Sequence, residues 1–389
     1  MHVCHVITRL IVGGAQENTL LTCAGLHERG HEVTLISGPT RGPEGSLANM
    51  ARNAGYRFIE LPELVRAINP WLDGRAQREL TALFSRLRPD VVHTHSSKAG
   101  VLGRFAAHRA RVPLIVHTIH GMSFNRTQPG PVQMLYALLE WAAARRTHAI
   151  ITVADALREQ SVAAHIAPRG KFETIYSGMP VEQFTPTRYD RDATRAAWSI
   201  APGDDVVVVG TVARLFRRKG YEQLLPIMSR AAALDPRLRF VWVGDGAQRA
   251  NYERELSRRG LRERTFLTGL VAPREIPRIL AGFDILAHTS QWEGLPRAVV
   301  QALLMQTPAV AFALDGTPEV VLDGRTGRLI RNGDADAFAA ALAALAGDPD
   351  ARRRLGAAGR QLCLDRFDAR RMVDRIEALY ERLAARLRA

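Results

Sequence analysis

The stretch Asp205-Val206-Val207-Val208-Val209-Gly210-Thr211-Val212-Ala213-Arg214-Leu215-Phe216-Arg217-Arg218-Lys219-Gly220 decides how this chain reads. Four consecutive valines lack the in–out alternation of a half-solvated strand and fit a parallel strand covered on both faces. Glycine ends the run, and a loop dense in cations precedes the next helical pattern. That order places the cations at the carboxyl end of a parallel strand, where open α/β sheets bind ligands. Arg214 suits a bidentate contact to a diphosphate, and Lys219 adds a point charge where the next helix starts. Solvated loop cations are the alternative reading.

Outward from this stretch the same alternation recurs. Strand-like runs fall at 3–8, 32–37, 91–94, 114–118, 149–153 and 172–176, with helical patterns at 15–28, 75–87, 99–109 and 132–145. Beyond residue 205, strands at 238–243, 264–268, 284–287 and 309–313 each precede a helical segment, an alanine-rich helix is expected at 337–346, and 368–388 reads as one amphipathic helix. Between the two series, Ser177-Gly178-Met179-Pro180, Pro186 and Pro202-Gly203 interrupt the pattern. The expected architecture is α/β, with two doubly wound domains of similar size, 1–180 and 181–367, whose strand ends face a central cleft. A terminal helix at 368–389 completes the chain.

Composition sets the outer bounds. The chain has 389 residues, 47% of them apolar and 24% charged, which excludes disorder, collagen-like repeats and a coiled-coil rod as the main architecture. No uncharged apolar run approaches the ~20 residues of a membrane span, and the start His2-Val3-Cys4-His5 does not read as a secretory leader. Three scattered cysteines, Cys4, Cys23 and Cys363, suit buried thiols of a cytoplasmic protein. The net charge of +14 is spread evenly and could attract nucleotides, phosphorylated acceptors, anionic lipid or nucleic acid. Without aromatic–basic clusters, a nucleic-acid partner is not expected. Only Lys98, Lys171 and Lys219 are lysines.

Ser290-Gln291-Trp292-Glu293-Gly294-Leu295-Pro296-Arg297 follows another strand and leads into a helix, with Pro296 near its first position. Gln301 lies eight residues beyond Glu293, so both can face one ligand. Gly13-Gly14-Ala15-Gln16 occupies the first strand-to-helix turn and reads equally as a phosphate loop or a plain tight turn. Histidines cluster in Val92-His93-Thr94-His95-Ser96-Ser97-Lys98 and in Val116-His117-Thr118-Ile119-His120-Gly121. Histidines on adjacent strands suggest a metal. Neither motif supplies an acidic or cysteine ligand, and His117 and His120 do not share a strand face, so no metal site is expected.

These residues resemble the retaining family 4 glycosyltransferases of GT-B fold, the group 1 enzymes of bacterial polysaccharide and glycolipid assembly. The likeness spans nearly the whole chain: the Gly13-Gly14 loop, the Arg214/Lys219 cluster, Glu293-Gly294-Leu295-Pro296, and a terminal helix crossing back to the first domain. The family carries two glutamates separated by seven residues. Here Glu293 is the first, but Gln301 occupies the second position, where the family's carboxylate binds ribose hydroxyls. Glutamine still accepts and donates hydrogen bonds but carries no charge, so nucleotide binding is expected to be retained, at most weakened.

The resemblance implies a hexosyl or N-acetylhexosaminyl transferase using a nucleotide diphosphate sugar, UDP-sugar ahead of GDP-sugar, without metal or cofactor. The acceptor is a hydroxyl of a glycan, glycolipid or lipid-linked sugar in cell-surface polysaccharide assembly. His120 matches the family histidine that contacts the transferred sugar. Gly316-Thr317-Pro318-Glu319 matches an element near the diphosphate, although a helix N-terminus with glutamate in its first turn reads nearly as well. Base selection falls to backbone groups around Gly269-Leu270-Val271. Lys98 and Ser97 fall at the acceptor mouth, with a solvated lysine on a capping loop as the alternative. Trp71, and Met134, Leu135, Leu138, Leu139 and Trp141 leading to Arg145-Arg146, suit either core packing or peripheral contact with an anionic membrane at its inner face. A nucleotide-sugar epimerase of the same fold, or a weakened paralogue that only binds nucleotide sugar, are the competing functions.

Overall fold

The computed structural model describes every residue except 43, 125–127, 218 and 389. The chain divides into two units, Met1–Gly178 with Ala369–Ala389, and Met179–Asp368. The boundaries expected after residues 180 and 367 fall after 178 and 368.

In unit 1 the elements follow as β1 (His2–Ile7), α1 (Gly14–Glu28), β2 (Glu32–Ser37), α2 (Ala48–Arg52), β3 (Arg57–Glu60), α3 (Pro70–Leu87), β4 (Val91–His95), α4 (Ser97–Arg109), β5 (Leu114–Ile119), α5 (Gly130–Ala144), β6 (Ala149–Thr152), α6 (Asp155–Ala163) and β7 (Phe172–Thr174). The strands form one sheet in the order β3-β2-β1-β4-β5-β6-β7, every pair parallel. The edge strand β3 escaped the sequence reading because Arg57 and Glu60 bracket only two apolar residues. Asn69 extends α3 beyond its expected start at 75: its Oδ1 accepts from Trp71 N at 3.1 Å and Leu72 N at 3.2 Å, satisfying donors that open any helix.

Unit 2 follows as α7 (Arg191–Ala196), β8 (Val207–Val212), α8 (Tyr221–Leu234), β9 (Leu238–Val243), α9 (Arg249–Arg258), β10 (Thr265–Gly269), α10 (Ile276–Ala281), β11 (Ile285–His288), α11 (Arg297–Leu304), β12 (Ala309–Phe312), β13 (Gly327–Ile330), α12 (Ala335–Gly347) and α13 (Pro349–Arg366). Its parallel sheet runs β10-β9-β8-β11-β12-β13. The valine run forms β8, and Val207, Val208 and Val209 are all at most 4% exposed, as a doubly covered strand requires.

The last helix, α14 (Ala369–Arg388), belongs to unit 1. Met372, Val373, Ile376, Leu379 and Tyr380 recur at helical spacing and are buried; each such side chain contributes roughly 1.5–3 kcal/mol. The helix packs beside α1, where Gly25 permits the approach: a Cβ there would sit 2.7 Å from Val373 Cγ2. Arg29 donates to Glu377 Oε2 and His31 Nε2 pairs with Glu377 Oε1, both at 2.7 Å. The three cysteines are buried free thiols.

Helix α5 resolves the alternative left open by its sequence. Its one charged residue, Glu140, faces inward, where Arg104 Nη2 donates to it at 2.6 Å. Its large apolar residues face out: Met134, Leu135 and Leu138 are 70%, 54% and 56% exposed. They are not core.

Candidate active site

In unit 2 the strand order reverses between β8 and β11, so the loops leaving these strands diverge around a crevice. One loop carries Arg214 and Lys219, the other Glu293-Gly294-Leu295-Pro296. Gly220 joins them. Its φ of 86° is left-handed, and a Cβ there would lie 1.9 Å from Thr289 O. Thr289 Oγ1 donates to Gly220 O at 3.0 Å across the same contact. Only glycine supplies both the backbone angle and the space.

The join brings Lys219 Nζ to 2.8 Å from Glu293 Oε1, with His288 Nε2 3.8 Å from the same oxygen. Burial alone raises the Glu293 carboxyl, but the Lys219 ammonium, His288 and the Ser290 hydroxyl outweigh it, and its pKa falls below the ordinary value. Glu293 is therefore a carboxylate at neutral pH. Burial, against the attraction of Glu293, lowers His288 and keeps that imidazole neutral. The backbone is fixed too: Glu293 N donates to Asp315 Oδ2 at 2.9 Å. His288 and Asp315 were not anticipated from sequence, because their roles arise only through contacts between loops.

Gly294, Leu295 and Pro296 are buried. Pro296 is the N-cap residue of α11, one position earlier than expected, and Gln301 follows in the second turn, half-buried. Arg214 is half-buried, its guanidinium carbon 5.2 Å from the centre of the Phe216 ring. Leu270 follows Gly269 at the end of β10 and is 48% exposed. Glu319 ends a three-residue 3-10 turn, Thr317–Glu319, and not the longer helix its surroundings suggested. Arg218, part of the expected cationic cluster, lies outside the described residues.

In unit 1 the order reverses between β1 and β4. Gly13 is the N-cap of α1 with extended backbone and contributes no side-chain cap, and Gly14 is the first helical residue. Parallel register sets His5 beside His93. Thus His5, His93 and His95 share one face. His5 Nδ1 lies 3.0 Å from His95 Nε2, and His95 Nδ1 lies 3.1 Å from His120 Nε2. His93 bonds Thr118 Oγ1 at 2.7 Å and the Tyr380 hydroxyl of α14. His117 points to the other face and meets Thr94 Oγ1 at 2.9 Å. Burial lowers His5 to about 3 and drives His93, His95 and His117 well below the ordinary value. Nitrogens of His5, His93 and His95 lie within 4.8 Å of one another. A metal-sized grouping therefore exists, with His5 where the sequence offered His117 or His120. Both nitrogens of His93 and of His95, however, already hold hydrogen-bond partners.

Lys98 pairs with Asp73 Oδ1 at 2.5 Å and also donates to Ala67 O, tying α4 to the start of α3. Neither a solvated nor a free lysine describes it. Ser97 opens α4 and is half-buried, whereas Ser96 Oγ meets Thr8 Oγ1 at 2.8 Å.

Comparison with known proteins agrees with this layout. Residues 12–183 match the family described as Glycosyltransferase Family 4, and residues 190–362 match Glycosyl transferases group 1. The Escherichia coli UDP-Gal:alpha-D-GlcNAc-diphosphoundecaprenol alpha-1,3-galactosyltransferase is 28% identical over 97% of this chain and 96% of its own. A GDP-mannose-dependent alpha-(1-6)-phosphatidylinositol monomannoside mannosyltransferase of Mycolicibacterium smegmatis is 26% identical over 92% of each. The crystal structure of Anabaena Alr3699/HepE in complex with UDP and glucose superposes with a TM-score of 0.84 at 20% identity, covering 98% of this chain and 99% of that one. That likeness gives the fold, GT-B. The chain belongs to the group 1 glycosyltransferases of family 4.

Proposed function

We propose that this glycosyltransferase moves a hexosyl or N-acetylhexosaminyl unit from a nucleotide diphosphate sugar to a hydroxyl of a glycan, glycolipid or lipid-linked acceptor, with retention, in cell-surface polysaccharide assembly. The observation that carries it is the Lys219–Glu293 pair at the β8/β11 switch point, a cation and an ionised carboxylate 2.8 Å apart beside the Gly294–Pro296 turn. Glu293 and the neighbouring backbone amides suit the hydroxyls of a sugar, Lys219 and Arg214 the diphosphate, and Gln301 a ribose hydroxyl. Gly13 and Gly14 suit the approach of donor phosphate, Leu270 the base, and Glu319 the diphosphate's surroundings. In the step, the acceptor oxygen bonds to the anomeric carbon as its bond to the phosphate oxygen breaks. The leaving diphosphate takes the hydroxyl proton, so no protein nucleophile and no metal is required. Cations and dipoles aimed at the leaving group stabilise its developing charge. The identity to the E. coli galactosyltransferase along nearly the whole chain supports a UDP-sugar and a lipid-linked acceptor.

The test is a thermal-shift panel of UDP, GDP, ADP and their sugars, with and without metal. A ligand at 100 times its Kd adds about 2.7 kcal/mol to the stability of the state that binds it. A selective shift with a UDP-sugar, followed by transfer to a lipid-linked acceptor, is the expected result. Epimerised nucleotide sugar formed without acceptor would replace the reading with an epimerase; binding without turnover would make the chain a weakened paralogue.

A lipid-linked acceptor calls for contact with a membrane surface, and the exposed face of α5 suits it. Its exposed apolar face ends in Trp141 with the Arg145 guanidinium 4.7 Å from the ring centre. Beyond it, Arg145, Arg169 and Lys171 border an apolar hollow of about 560 Å³ floored by Ala144, Val162 and Ile166. Apolar insertion flanked by cations matches an anionic bilayer. Vesicles containing phosphatidylglycerol should float the protein, and phosphatidylcholine vesicles much less so. M134S/L138S should abolish flotation. A dimer in solution that the same substitutions dissociate would overturn membrane docking in favour of self-association.

A further inference from the structure

One nitrogen at the unit 2 site has nothing to bond. His288 closes β11, where register with β12 sets it beside Ala311. Its side chain is 8% exposed, and its Nε2 is buried without a hydrogen-bond partner among the described residues. Glu293 Oε1 lies 3.8 Å away, beyond hydrogen-bond reach. Buried polar atoms without a partner are few in native proteins, and each calls for a cause.

The ring is neutral, because burial and the Lys219 ammonium outweigh the attraction of Glu293. A neutral imidazole carries one N–H and one lone pair. A lone pair turned on a carboxylate is repelled and an N–H is attracted, so the proton sits on Nε2. Lys219 holds that carboxylate instead, at 2.8 Å. The roles given to the two residues conflict with their pairing. Lys219 faces a diphosphate by turning from Glu293, and a diphosphate carries more negative charge than one carboxylate. Glu293, its side chain 16% exposed, is then left as an ion without its cation, a costly state. The Ser290 hydroxyl also supports the carboxylate, but its one proton is shared with Trp292 O at 3.3 Å. The Glu293 backbone is held by Asp315, so any movement falls to its side chain. A shift of about 1 Å brings Oε1 within reach of Nε2.

We propose that His288 is a positioning residue that receives the Glu293 carboxylate when the donor's diphosphate draws Lys219 away. The proposal rests on the reading that Lys219 holds the diphosphate and Glu293 the transferred sugar. In the free protein Lys219 and Glu293 neutralise each other. In the donor complex Nε2–H donates to Oε1, Lys219 bonds phosphate oxygens, and Glu293 Oε2 remains for a sugar hydroxyl. The pairing in the free protein opposes diphosphate binding, and His288 reduces that opposition.

The test is calorimetry on the full chain with UDP, GDP and ADP. His288→Leu should weaken whichever diphosphate binds by about tenfold, because the freed carboxylate has no partner. Glu293→Gln leaves Lys219 unpaired from the start and should tighten the same ligand several-fold. In that background His288→Leu should change affinity by less than about twofold, the signature of two residues acting as one unit. His288→Gln, whose amide nitrogen takes the place of Nε2, should stay within about threefold of wild type. In wild-type protein labelled with 15N at histidine, His288, assigned by loss in His288→Gln, should show a pyrrole-type Nε2 whose proton moves downfield when the diphosphate binds. Circular dichroism identifies variants that have lost the fold, and the wild-type spectrum tests the handover without any substitution. Additive effects in the cycle, or His288→Gln as weak as His288→Leu, would overturn the proposal and leave Lys219 bridging carboxylate and phosphate. So would an Nε2–H signal unmoved by ligand, or a proton on Nδ1 in the complex. Each of these results leaves the donor site standing. Absence of binding by UDP, GDP and ADP alike would defeat the donor-site reading and this proposal with it.

Discussion

Acidification should unfold unit 1 before unit 2, and the buried histidines set the size of the effect. His5, His93, His95 and His117 are each at most 2% exposed. Burial holds their pKa values below the ordinary 6.5, His5 at about 3. The folded chain refuses protons that the unfolded chain accepts, so stability is complete above about pH 7 and falls as pH drops below 6.5 toward the folded values. At pH 5 a freed imidazole is almost fully protonated, and keeping one neutral is unfavourable by on the order of 2 kcal/mol. Four amount to about 8 kcal/mol, comparable with the whole stability of many domains, about 5–15 kcal/mol. Near pH 5.5 the slope approaches about 5 kcal/mol per pH unit. Unit 2 holds a single histidine, His288, and serves as the internal control. Hydrogen exchange, corrected for intrinsic pH dependence, on peptides from β1, β4 and β5 against peptides from β8 and β9 reads both units at once. A fall below about 2 kcal/mol between pH 7 and 5 in unit 1, or an equal fall in unit 2, would refute the reasoning.

Other consequences are narrower. Lys219→Ala and Glu293→Ala should each reduce kcat/KM by roughly 10²–10³ without shifting Tm by more than a few degrees, as interactions with transferring charge do; near-normal turnover in either would remove these assignments. Gln301→Glu should tighten nucleotide binding about fivefold in calorimetry, because a hydrogen bond to a charged acceptor is the stronger one; unchanged affinity would place Gln301 away from the ribose. Arg104 and Glu140 are buried and paired at 2.6 Å, so Arg104→Met should destabilise by about 3–5 kcal/mol, while Arg104→Met with Glu140→Leu recovers most of the loss in urea denaturation. Equal destabilisation by the single and double variants would show that packing, not the unpaired charge, is responsible.

Much of this protein was legible in order along the chain. The valine run of β8, the alternation of apolar strands with helical patterns and the amphipathic spacing of α14 required burial on both faces of parallel sheets, whatever the rest of the chain did. The loops bearing Arg214, Lys219 and Glu293 could be placed at strand ends because their neighbours in sequence are strand and helix. Elements with a weak local signal escaped: β3 and β13 are short edge strands with charged residues or glycine among few apolar ones. What only the tertiary structure decided is which groups meet. No spacing in the sequence joins His5 to His95, 90 residues apart, Lys219 to Glu293, 74 apart, or Lys98 to Asp73. Nor does periodicity tell an apolar helix face that packs inward from one turned out, as α5 is, because the pattern is the same; α5 instead buries Glu140, paired with Arg104, together with Ala143 and Ala144. Local sequence fixes backbone preference over a few residues; the charge state, tautomer and exposure of a side chain are fixed by partners that parallel strand register brings from elsewhere.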